Sequence, residues 1–268
     1  MIDDNSKIKL IFNEAYQFLN QKVEEDEIKK HLEHYQNYKP TLISEIFRKM
    51  VGTLTNKQGY ENFLAKPEEV RDILFDFNPK ILLEKMTNWN QLFDIFKKKF
   101  NHKYKMEVEK KNNAWVLYTK GVLSCARFIS NFKDYEEFDD FITSFFSYEF
   151  TTAALPMVLE KEIFGFGFPL ACDFLKEIGY TQYAKPDVHI KDILNSLKLI
   201  DSRKDYDVFK KIIKISKILK KDPVVVDKIF WLIGSGKFHL STPPFEIGSQ
   251  KEAFLEYIKT KYPDFFLN

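Results

Sequence analysis

The passage of this chain richest in chemical possibility runs Glu162-Ile-Phe-Gly165-Phe-Gly167-Phe-Pro169-Leu-Ala-Cys172. Two glycines flank one aromatic residue, between the end of one expected helix and the start of another at Pro169. Gly165 and Gly167 permit positive φ and leave backbone N–H groups uncovered. Amides placed at the positive end of the next helix form a nest suited to an anion such as a phosphate. A plain αα-turn that needs glycine for tight closure accounts for the same residues. Twenty positions after Gly167 stands Asp187, in Lys185-Pro-Asp187-Val-His189-Ile190. An Asp at that place caps a helix, the default reading for such a residue.

The order helix, Gly-x-Gly, helix, loop and Asp-x-His-Ile resembles the helix-hairpin-helix (HhH-GPD) DNA glycosylase superfamily, typified by endonuclease III and the 8-oxoguanine glycosylases. The resemblance covers about residues 119–237, with Trp231 and 234–238 in the position of the family's closing helices. It points to a bacterial branch with this Gly-Phe-Gly-Phe hairpin. It implies that Gly165, Phe166, Gly167, Phe168, Lys185 and His189 contact double-stranded DNA. It also implies that Asp187 is the catalytic carboxylate beneath an extruded nucleotide, holding the charge that develops as the C1′–N bond breaks. His189 is expected to orient the loop by hydrogen bonding. The partner is DNA with a modified or mispaired base.

One position departs from the family's pattern. Bifunctional members carry a lysine two residues after the last hairpin glycine, and here that residue is Pro169. Proline suits the first turn of a helix and offers no nucleophile, so the expected enzyme is a monofunctional N-glycosylase that leaves an abasic site. Lys161 and Lys185 are the lysines near enough in sequence to challenge that. The family's iron–sulfur cluster is not expected, because only Cys125 and Cys172 occur in the chain. No protein metal site is expected, and a monovalent cation at the hairpin with DNA bound is the one ion the resemblance allows. For the base pocket the candidates are Trp115, Tyr118, Arg127, Tyr148 and Trp231, each of which also suits an ordinary core or surface position.

The elements that position these residues read as helices. Apolar residues recur at helical spacing over 8–19, 42–51, 67–77 and 89–100, then over 116–132, 135–146 and 152–163, with Pro156 interrupting the last. Further helices are expected over 169–178, 188–199, 209–219, 224–233 and 251–261, and no run alternates like a strand after Ala114. Asp134 and Asp187 are the expected N-caps of the helices that follow them. Residues 101–113 are polar and lysine-rich, the best linker candidate. The expected fold is all-α, a helix-hairpin-helix glycosylase-like bundle over 111–268 with a helical N-terminal region over 1–110.

Composition narrows the remaining classes. The 268 residues hold 27 Phe and 9 Gly, a balance unlike a turn-dense β-sandwich. Lys+Arg is 41 and Asp+Glu 39, for a net charge of +2, which excludes a polybasic binder and confines any nucleic-acid site to a local patch. Residues 134–149 carry six acids and no base, whereas residues 185–221 carry eleven bases and five acids. Lys210, Lys211, Lys214, Lys217, Lys220 and Lys221 ring an Ile/Leu face, as a solvated helix or as a phosphate-facing stripe. Charge-free stretches stop at ten residues, short of the ~18 that span a membrane, and the N-terminus is acidic and polar. A cytoplasmic monomer without a secretory leader or membrane contact is expected. The alternatives to a glycosylase are a non-catalytic DNA-binding protein of the same fold and a helical interaction protein that does not touch DNA.

Overall fold

A computed structural model of the chain describes residues 3–36, 38–57 and 64–266. It opens with α1 (Asp4–Asn20) and α2 (Glu25–Glu33), followed by α3 (Ile43–Thr55), α4 (Pro67–Val70), α5 (Pro79–Lys85) and α6 (Trp89–Phe100). Next come α7 (Ala114–Ile129), α8 (Tyr135–Thr143), α9 (Glu149–Glu162) and α10 (Phe168–Glu177). The last helices are α11 (Val188–Ser196), α12 (Asp205–Leu219), α13 (Pro223–Ser235) and α14 (Lys251–Lys261). The molecule is thus mostly helical, the class expected from sequence. Its one sheet among the described residues pairs Lys237 with Glu246 and Phe238 with Phe245, antiparallel. No helix among the described residues is long and apolar enough to cross a membrane.

Side-chain caps open six of the fourteen α-helices among the described residues. Side chains of Asp3, Asn78, Asn88, Asn113, Asp134 and Asp187 each accept a backbone N–H from the first turn that follows. Three expectations fail. Over 67–77 only the short α4 is helical, and Phe75, Asp76 and Phe77 adopt φ of 51°, 52° and 60°. Such left-handed residues cost about 1–2 kcal/mol each. Burial of Leu74 and Phe77, the latter edge-on to Phe47, offsets that cost, and Asn78-Pro79 starts a new helix. Pro156 does not interrupt its helix either. α9 runs through it, because Leu155, Pro156 and Leu159 are buried together and that packing outweighs the lost backbone bond. The expected helix over 135–146 ends earlier, at Thr143, and continues as a 3-10 turn over Ser144–Ser147. The short, polar α2 has too little apolar periodicity to be legible in the sequence.

The chain forms two compact units, Met1–Tyr38 with Gly179–Asn268, and Lys39–Ile178. This partition differs from the boundary at 110/111 expected from sequence. In the first unit α1 packs against α12, α13 and α14. Ile8, Ile11, Phe12, Ala15, Phe18 and Leu19 enter one core with Ile190, Ile193, Ile229 and Phe230. Glu14 fastens the outer edge of that core, accepting hydrogen bonds from Tyr257, from Tyr262 at 2.6 Å and from Lys261 at 2.8 Å. In the second unit α7 packs against α3, α5 and α6, and α10 against α3 and α9. The lysine-rich segment over 101–113 therefore lies inside the second unit. The helices on either side of it share a core in which Phe96 and Phe100 lie against Trp115.

Candidate nucleic-acid interface

The hairpin turn is built from the second unit alone. α9 ends at Ile163, whose N–H donates to the Leu159 carbonyl at 3.0 Å. Ser124 of α7 pins the next residue, because its hydroxyl accepts the Phe164 N–H at 2.8 Å. The Phe166 N–H turns back to the Ile163 carbonyl at 3.1 Å. Gly165 has φ +94°, a value that disfavours any side chain. Gly167 precedes α10 at φ −107° without a side-chain cap, and Pro169 removes one donor from the first turn. The N–H groups of Gly165, Gly167 and Leu170 consequently find no acceptor among the described residues. A Cβ on Gly167 would meet only Pro169 Cδ, at 3.9 Å. The outcome is an open backbone at the positive end of a ten-residue helix, an arrangement able to bind an anion.

Of the aromatic residues in the turn, Phe166 and Phe168 are buried, Phe166 edge-on to Phe174. They can meet a ligand only through their backbone. Phe164 is the exposed ring, at 46%, and neither it nor Ser124 stands out in the sequence. Lys161 is exposed, beside exposed Glu160 and Glu162.

Asp187 lies in the first unit, nine residues into the segment that begins at Gly179, so the chain passes from one unit to the other between the hairpin and this carboxylate. The approach to Asp187 is tightly held. Asp227 of α13, 1% exposed, accepts the Lys185 N–H at 2.9 Å. The Asp187 N–H donates to the Lys185 carbonyl at 2.8 Å, closing a three-residue turn around buried Pro186. Asp187 Oδ1 then accepts the Ile190 N–H at 3.1 Å, the cap expected from sequence. The Asp187 side chain is half-buried, and Val188 beside it is 52% exposed.

His189 packs on α13 where Gly234 leaves room. A Cβ at Gly234 would lie 2.5 Å from His189 Cβ. Gly234 and Asp227 therefore set the placement of α11; the sequence placed Gly234 only within the stretch 234–238 and did not single out Asp227. Asp227 leaves a faint signal, a lone acid within the apolar run over 224–233.

The chain matches no protein-family model, no curated protein and no solved structure.

The base-pocket candidates do not share one environment. Trp115 and Tyr118 are 1% and 2% exposed and pack with Phe96 and Phe100. Burial pushes the Tyr118 hydroxyl well above its ordinary range, with the Cys125 thiol adding to it. Neither ring offers a face to a base. Arg127 is exposed on α7. Tyr148 is 63% exposed and stacks flat on Phe150, with ring centroids 5.5 Å apart. Trp231, in the first unit, is half-buried, with the Lys228 ammonium 4.5 Å from its ring and His239 edge-on to it. Among the described residues, no cluster of His, Cys, Asp and Glu side chains is arranged to hold a metal ion.

Proposed function

We propose that this protein is a monofunctional DNA glycosylase of the helix-hairpin-helix type, which hydrolyses the N-glycosidic bond of a modified or mispaired base. The observation that carries this reading is the bare-amide turn at the head of α10, followed twenty positions after Gly167 by a helix that Asp187 opens. The turn supplies uncharged donors for a backbone phosphate. Asp187 accepts the Ile190 N–H, which holds its orientation, and its carboxylate carries the charge that an oxocarbenium-like sugar would need. Water is the nucleophile, because Pro169 cannot form a Schiff base. Of the pocket candidates, Tyr148 and Arg127 present exposed surface and remain in this proposal, as does Trp231 with part of its ring.

A second reading rests on the same cap. An Asp that does no more than hold the first turn of α11 suits a DNA-binding protein without catalysis. The test is a panel of duplexes carrying oxidised, alkylated, deaminated or mispaired bases, each incubated with the protein and then treated with alkali. Strand breaks only after alkali, with no adduct trapped by borohydride, are the expected result. Binding without base release from any duplex would leave the non-catalytic reading. A borohydride-trapped complex that disappears in Lys161→Gln or Lys185→Gln would overturn the monofunctional assignment.

A further inference from the structure

The lysines of the first unit are not spread evenly over a solvated helix; they converge from three elements. Lys7 of α1, Lys198 of the α11–α12 connection, and Lys211 and Lys214 of α12 form one group. Two of them are fixed by the end of the chain. Lys7 Nζ donates to the Phe265 carbonyl at 3.2 Å and lies 5.4 Å from the Phe265 ring. Lys198 Nζ donates to the very next carbonyl, of Phe266, at 3.0 Å. Burial, and then the neighbouring Lys198 and Lys211, pull the Lys7 ammonium below its ordinary range, with Asp4 opposing. Burial and then Lys214 do the same to Lys211, with Asp4 and Asp201 opposing. Lys7 and Lys211 thus each have a second ammonium group as a neighbour, with Asp4 as an acid common to both.

α12 extends the group along a line. Lys210, Lys214 and Lys217 follow one another on its outer face, Lys210 with its ammonium 4.6 Å from the Tyr206 ring. Asp207, nearer the helix start, is occupied by the Ser202 hydroxyl at 2.7 Å. From Lys210 to Lys217 the helix rises ~10 Å, a length over which duplex DNA presents about six phosphates. Among the described residues, none of the exposed large apolar side chains lies on this group.

We propose that this lysine surface, built by α1, the α11–α12 connection and α12, contacts the phosphate backbone of duplex DNA. It rests on the DNA-binding reading above and adds to it a second contact of different chemistry. The hairpin offers neutral amides, whose contact with a phosphate leaves the charge balance unchanged. The lysines neutralise phosphates and so release counterions, which makes their share of the affinity salt-dependent.

The difference gives the experiment. Affinity of the full chain for a lesion-free duplex is measured across a salt series for the wild type, for Lys211→Gln/Lys214→Gln/Lys217→Gln, and for the triple arginine counterpart, with folding checked by circular dichroism. The glutamine variant should lower the slope of log affinity against log salt by about 2–3, at about 0.9 per phosphate contact. The arginine variant should keep the wild-type slope. A folded glutamine variant with the wild-type slope, in a protein that binds the duplex and responds to a hairpin substitution, overturns the lysine proposal alone. Loss of binding to phosphatidylserine vesicles with the duplex slope unchanged also overturns it, and assigns the surface to an anionic membrane. A wild type without salt-dependent duplex binding overturns the DNA-binding reading itself.

Discussion

The turn over 163–168 and the segment over 184–190 both lead into a helix, and they treat the amides of the chain in opposite ways. In the hairpin Gly167 stands at the cap position of α10 without a side chain, and three N–H groups find no acceptor among the described residues. Before α11, two carboxylates take the donors: Asp227 binds the Lys185 N–H and Asp187 binds the Ile190 N–H. A phosphate is attracted to the first arrangement, whose partial charge is positive and unopposed. The second spends its donors on two acids, with Lys185 as the cation beside them. The hairpin is therefore suited to an anion, and the Asp187 segment to holding one carboxylate still.

Asp187→Asn is the most severe way to separate these roles. Asn caps a helix about as well as Asp, so stability should change by less than about 0.5 kcal/mol. Base release should nevertheless fall at least about a hundredfold while duplex affinity holds. Unchanged base release on an accepted substrate would reduce Asp187 to a cap.

Gly167→Ala addresses the other side. Its φ of −107° suits any residue and the space around it is open, so the chain should fold and lose no more than about 1 kcal/mol, because Ala caps a helix less well than Gly. The added methyl covers the amides, and a lost hydrogen bond to a charged group is worth about 1.5–3 kcal/mol, a loss of about tenfold or more in affinity. Because no charge is removed, the salt slope should stay as it is. Wild-type affinity in a folded variant would make the hairpin only a turn. Gly165→Ala differs, since its φ of +94° should cost about 1–3 kcal/mol of stability; equal denaturation midpoints for the two alanine variants would contradict the backbone account.

Asp227→Ala should destabilise the protein by about 1–3 kcal/mol, because the Lys185 N–H loses its acceptor. It should also lower base release through misplacement of Asp187. A destabilised variant with full base release would show that Asp187 needs no such support. The smallest effect is expected from Ser124→Ala, about 0.5–1.5 kcal/mol, since solvent reaches exposed Phe164 and can replace the lost bond. Denaturant titration distinguishes this from a null effect.

Legibility in the sequence followed the range of the forces. Trp89–Phe100 and Lys251–Lys261 were readable to the residue, because apolar spacing and lysines in the last turn act within one helix. The caps at Asp134 and Asp187 were readable for the same reason, each being a contact three residues long. Over 67–77 and at Pro156 local preference pointed the wrong way, since burial of Phe77 and Leu155 decided both.

The sequence by itself determined the helical class, the glycine pair at 165 and 167, the acid that opens α11 and the clustering of lysines after residue 185. Only the tertiary structure decided that α1 belongs with the C-terminal helices, that Trp115 and Tyr118 are core, and that Asp227 and Gly234 set the path of Asp187 and His189. The physical reason is separation along the chain. Asp227 meets Lys185 across 42 residues, and Lys7 meets Phe265 across 258. Contacts of that length follow from which apolar faces bury one another, a property of the packed helices together and of no single segment.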